Sequence, residues 1–138
     1  MTIPIILSIR PKYSELIISQ KKTIEIRKKI GRNFNENEWV YIYSSSPKKS
    51  IVGKFQIEKI QSFSMNSLSQ DLLDSSCLSR DEMYEYVGDK IAFAIFIKNI
   101  EVVNNISLER LRTSLPSFYP PQSFCYASEA FLRFIEDV

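Results

Sequence analysis

The sequence predicts an α+β fold: a small mixed β-barrel of about five to six strands with flanking helices. Three observations carry this expectation. Short β-branched and aromatic runs recur at irregular spacing, helical patterns separate them, and no internal repeat or low-complexity tract interrupts the 138 residues. That length fits one domain spanning 1–138 and buries enough surface to fold without a disulfide or metal staple.

Ile3 to Ile9 is β-branched and reads as a strand. Pro11 suits the first turn of a helix, in which Tyr13, Leu16 and Ile17 recur at helical spacing up to about Gln20. Lys22 to Lys28 alternates, with Ile24 and Ile26 on one side and Thr23, Glu25 and Arg27 on the other, as in a half-buried strand. Gly31 and Asn33–Asn37 form a turn. Glu38 to Tyr43 is apolar on both faces and reads as a central strand. A polar loop over Ser44–Lys49 leads to a strand from Ile51 to Ile60, where Gly53 signals a bulge or a close backbone approach. Residues 64–88 read as helical, with Ser79 and Glu82 spaced as a capping box. Lys90 to Val103 is a long strand, Ser107–Arg112 a short helix, and Pro116–Tyr126 a rigid loop with three prolines. Ser128 is expected to cap a last helix carrying Phe131, Leu132 and Ile135.

Composition narrows the chemistry. Histidine is absent, which removes the Ser-His-Asp triad, the Cys-His dyad, His-ligated zinc and imidazole general bases. Cys77 and Cys125 lie far apart with no partner at metal-site spacing; one disulfide is arithmetically open, but two reduced thiols are expected, and no metal or cofactor is called for. No apolar run reaches the roughly 20 residues of a membrane span, and the opening Met-Thr-Ile-Pro resembles no signal peptide, so a cytoplasmic location is expected.

The overall charge of +2 is unevenly spread. Between Arg10 and Arg32, eight basic residues face Glu15 and Glu25, a local +6, so the remainder carries −4. This polarity suits an anionic partner, although a solvated run of lysines is its plain alternative. Within the run, Glu25 and Arg27 share a strand face. There the arginine can hold the carboxylate ionised and present a planar fork to phosphate or a base edge. Strict alternation puts Lys22 on the opposite face, unless a twist at the strand's start turns it into the cleft. On spacing alone the set is equally an ordinary ion pair.

The segment Ser19-Gln-Lys-Lys-Thr-Ile-Glu-Ile-Arg closely resembles the ASCH-domain signature Gly-x-Lys-x-x-Glu-x-Arg of the PUA-like superfamily, with Lys22, Glu25 and Arg27 matching and Gln20 standing where the family has glycine. Leu7–Tyr13, Tyr41–Pro47, Ile51–Ile57 and Pro120–Phe124 extend the resemblance over most of the chain. It implies a barrel whose cleft holds RNA or a nucleotide, with Arg10, Lys22, Glu25, Arg27, Ser45, Tyr119 and Gln122 as candidate ligand contacts. Tyr13, Trp39, Tyr41, Tyr43, Phe118 and Phe124 are further candidates to stack on a base, and Ser44 and Ser46 to close the cleft. The alternative is an enzyme with Lys22 and Glu25 catalytic: an acetylcytidine-type amidohydrolase, for which Glu25 departs from the family's threonine, or, ranked lower, a ribonuclease. A protein-interaction module is the third reading, its basic face meeting an acidic partner. On these expectations Arg27→Ala abolishes binding with little change in melting temperature, and Lys22→Ala flattens the salt dependence of binding.

Overall fold

The structure, a computed structural model, describes residues 2–138. Among them, six strands form one mixed sheet curled into a half-barrel, in the order β2-β5-β4-β3-β1-β6, with five helices against it. Strand β1 (Ile5–Ile9) runs parallel to β3 (Trp39–Ser44) and antiparallel to β6 (Phe124–Tyr126). Strands β2 (Ile24–Arg27), β4 (Ser50–Phe63) and β5 (Ala92–Ser107) complete the sheet with antiparallel pairings. No helix among the described residues is long and apolar enough to cross a membrane.

The side-chain pattern explains the layering. β1 and β3 are apolar on both faces because both faces are covered. Ile5, Leu7, Ile9, Val40 and Ile42 point into the barrel with Phe55, Ile57 and Ile95, while Ile6, Tyr41 and Tyr43 meet Leu111 and Phe131. Those last two belong to α4 (Leu108–Ser114) and α5 (Glu129–Asp137), whose N-caps Ser107 and Ser128 accept from Arg110 N and Phe131 N. A third cluster seats α2 (Gln70–Ser76) and α3 (Arg80–Val87) on β2 and β5 through Leu72, Leu73, Met83, Val87, Ile24 and Ile26. The capping box at Ser79 and Glu82 closes in both directions. Helix α1 (Pro11–Ile18) starts at Pro11 and buries Ile17 in the barrel.

Two elements differ from the sequence reading. The Pro116–Tyr126 segment is not loop throughout: its last three residues form β6, an edge strand recruited by β1 and too short to show a period of its own. Lys22 does not belong to a strand; β2 begins two residues later, so the alternation argument for its face does not apply. The β4–β5 pair carries three register shifts, which supply the coiling a barrel needs. Gly53 lies at one of them, and a Cβ there would meet Glu101 O at 2.8 Å, the close backbone approach expected of it.

Gln20, standing where the ASCH signature has glycine, adopts φ 66°. The left-handed conformation costs a non-glycine residue on the order of 1 kcal/mol. Gln20→Gly should therefore raise stability by about 1 kcal/mol, roughly 3 °C in Tm, whereas Gln20→Ala should change it by only a few tenths. Equal effects of the two substitutions in denaturant melts would show that the turn stores no strain.

Candidate functional site

The site grows from a carboxylate that the fold buries. Glu25 on β2 is 6% exposed, and such a charge must be paired to stay inside. Arg27, two residues on along the same face, brings Nη1 to 3.2 Å from its Oε2. Lys22 brings Nζ to 3.5 Å from Oε1 and donates to Ser76 O at 2.6 Å. That carbonyl ends α2, where a cation satisfies an orphan acceptor and meets the negative end of the helix. Burial lowers the Lys22 pKa, and Glu25 opposes the shift.

Arg27 also closes the half-barrel. Its Nη1 donates to Ser8 O on β1 at 3.2 Å and its Nη2 to Ser123 Oγ, beside β6, at 2.6 Å. Ser8 in turn donates twice across the same seam, from its N–H to Ser123 O and from its hydroxyl to Pro121 O. Of the five guanidinium N–H groups, three are engaged by these partners and Glu25, which leaves two for a ligand.

Above this seam opens a cavity of about 950 Å³. Its wall on the α1 and α3 side carries Arg10, Tyr13, Glu82, Glu85 and Tyr86; Tyr43, Ser45, Ser46, Lys49, Leu108, Arg112 and Pro120–Gln122 come from β3, the loop after it, α4 and the proline-rich segment. Five basic and three acidic side chains line it, a net of +2. Tyr13 holds Glu82 Oε2 at 3.4 Å, and Lys22 Nζ lies 5.3 Å from the Tyr13 ring centroid. Tyr43 is buried at 3% exposure; burial pushes its pKa above the ordinary 10.0 against the pull of Arg112, so the phenol keeps its proton. Lys49 adopts φ 48°. A lysine held in that conformation on a cleft is a strained residue of the kind that clusters at working sites.

Arg10, Lys22, Glu25, Arg27, Ser45 and Gln122 thus all line one cavity, as does Ser46. Tyr119 does not: it is 71% exposed and stands outside, against Arg112 at 5.1 Å. Ser44 turns inward and shares a hydrogen bond with Ser14. Among the other stacking candidates, Tyr13 and Tyr43 reach the cavity, Trp39 lies under Lys54, Tyr41 and Phe118 pack on Phe131, and Phe124 on Phe34. Lys49, Arg112 and Ser123 escaped the sequence reading. They come from a loop, a helix and a segment that only the topology unites, with no spacing to announce them.

The partners of Arg27 and Lys22 revise two expectations. Arg27 ties β2 to β1 and to the segment before β6, so Arg27→Ala should cost roughly 3 kcal/mol of stability rather than leave melting unchanged. Lys22 is sealed from solvent and meets α2, so Lys22→Met should cost roughly 2–3 kcal/mol without a direct effect on salt dependence. Lys22→Met combined with Glu25→Gln should cost less than the sum of the two single substitutions, because both remove the same ion pair. Strictly additive losses in urea titrations would mean that the two side chains do not act as a pair.

A family model described as a domain of unknown function (DUF365) matches residues 2–114. A protein of Zymomonas mobilis named as an ASCH domain-containing ribonuclease is 28% identical over 122 residues, 88% of this chain and 82% of its own. The crystal structure of ASCH from Zymomonas mobilis superposes with a TM-score of 0.89 at 25% identity, covering 98% of this chain and 94% of that one. The N-terminal domain of Staphylothermus marinus McrB shares the fold, with a TM-score of 0.61 at 11% identity over 97% of this chain and 93% of that one. With the Lys22–Glu25–Arg27 set in place on this half-barrel, the chain belongs to the family described as DUF365 and is an ASCH-type domain.

Proposed function

We propose that this chain binds single-stranded RNA in the cleft and cleaves it. The observation that carries the reading is the meeting of phosphate-seeking cations with a protonated phenol: Arg10, Arg27, Lys49 and Arg112 line the same cavity as Tyr43. Arginine and lysine there suit the non-bridging oxygens of a phosphodiester, and the rings of Tyr13 and Tyr86 offer faces on which an unpaired base can stack. The Zymomonas mobilis relative that bears the ribonuclease name lends the cleavage half of the proposal its support and raises it above the other enzymatic readings.

Cleavage without histidine follows a simple route. The ribose 2′-oxygen bonds to phosphorus and its proton passes to solvent. The bond from phosphorus to the 5′-oxygen breaks, and Tyr43 gives the leaving oxygen a proton that solvent later restores. Lys49 and the free donors of Arg27 stabilise the negative charge that builds on phosphorus-bound oxygens. The products are a 2′,3′-cyclic phosphate and a 5′-hydroxyl end. Lys22 and Glu25 act in this reading as positioning residues. The amidohydrolase alternative, in which the Lys22 amine attacks, draws no support from an amine already committed to Ser76 O and Glu25.

Labelled single-stranded RNA should bind with an affinity that falls as salt rises, and should be shortened to fragments ending in cyclic phosphate. DNA of the same sequence should bind and stay whole, because it lacks the attacking hydroxyl. Tyr43→Phe and Lys49→Ala should each slow cleavage on the order of 100-fold while leaving RNA bound. Because burial raises the Tyr43 pKa above 10.0, its protonated form persists through neutral and mildly alkaline pH. The activity of the wild-type chain should show no loss attributable to this group until pH exceeds about 10. RNA that binds without ever shortening would reduce the function to that of a binding module; released acetate from acetylcytidine, lost in Lys22→Ala, would favour the amidohydrolase.

A further inference from the structure

We propose that Arg112, laid against the ring of Tyr119, is a second phosphate-binding position next to the one at Arg27 and Lys49, so that the cleft holds two consecutive phosphates of an RNA, the scissile one and a neighbour. The inference rests on the RNA reading above and goes beyond it in adding a contact to a phosphate that does not react.

Arg112 is exposed, yet it is held. Its Nε donates to Phe118 O at 3.2 Å, and its guanidinium carbon lies 5.1 Å from the centroid of Tyr119. No carboxylate among the described residues forms an ion pair with it. Its two Nη groups therefore remain for a ligand, on a planar fork already oriented by the ring. Guanidinium is weakly hydrated and stacks readily, so such a pair loses little freedom on taking up a phosphate. The arrangement also accounts for Tyr119, a tyrosine 71% exposed beside the cleft but outside it.

The position of Arg112 fits a neighbouring phosphate. Leu108 opens α4 by donating its N–H to Lys49 O at 2.9 Å, and both Leu108 and Arg112 line the cavity. Four residues along a helix are about one turn, roughly 6 Å, so the backbone of Arg112 stands one turn along α4 from the Lys49 carbonyl. The charge of Arg112 is also felt at Tyr43, whose phenol pKa it pulls downward against burial. Arg112 lines the same cavity as Tyr43, Lys49 and Arg27, so the second position shares a wall with the reacting one.

The test uses two probes on the full chain: a labelled 2′-O-methyl pentauridylate, which cannot be cleaved, and uridine 5′-monophosphate as competitor. The wild-type chain should prefer the pentamer by at least tenfold. Arg112→Ala should weaken pentamer binding about tenfold and reduce the slope of log K against log salt by about 0.7, with the monophosphate unaffected within twofold. Tyr119→Leu should weaken the pentamer about threefold, whereas Tyr119→Phe, which keeps the ring, should bind as the wild type does. Wild-type affinity and salt slope in Arg112→Ala would overturn the inference while leaving the RNA reading intact. Failure of the wild-type chain to bind either probe would overturn both.

Discussion

One buried negative charge organises this molecule. The Glu25 carboxylate is held inside by two cations that arrive from opposite directions, and each of them is tied to a different part of the fold. Lys22 reaches the end of α2 at Ser76, and Arg27 reaches Ser8 on β1 and Ser123 beside β6. The helices on one side of the cleft and the strands on the other are thereby referenced to the same point. A half-barrel open along one seam would otherwise have nothing but side-chain packing to set the width of its mouth. Here the seam is bridged by a guanidinium that also lines the cavity, so the group that closes the barrel furnishes part of its wall.

That double use brings a buried phenol and several cations to one cleft in a chain without histidine. Tyr43 sits in a packed layer with Ile6, Ile51 and Phe131, which keeps its phenol protonated. Lys49 and Arg112 come from a loop and a short helix at the edge of that layer and line the same cavity. The buried phenol and the cations beside it are thus supplied by different parts of the fold.

The fold was largely legible because its strands announce themselves by burial. Ile5–Ile9 and Val40–Tyr43 are apolar on both faces only because layers cover both, and a doubly covered strand leaves a continuous run in the sequence. The Lys22–Glu25–Arg27 set was legible from its spacing and its resemblance to a family signature. Its geometry was not: Lys22 precedes the strand, and its partner Ser76 lies 54 residues away. The same limit hid Lys49, Arg112 and Ser123. A single exposed lysine or arginine carries no periodicity, and three residues of β6 are too few to alternate visibly. What spacing cannot express is a contact made only by the closing of the sheet.

The bridge from β2 to the segment before β6 has a consequence for when the cleft can exist. Arg27 meets Ser123 across 96 residues, and the Ser8 hydroxyl meets Pro121 across 113. Contacts of such separation are paid for in loop-closure entropy before they reward the chain, and they slow folding. During synthesis from the N-terminus, β1, α1 and the charged trio all appear early, but one wall of the cleft waits for residues beyond 120. Until they arrive, β1 has an unpaired edge and the cations at its side have no enclosed space in which to gather a phosphate. An enclosed cleft is therefore among the last features the growing chain acquires.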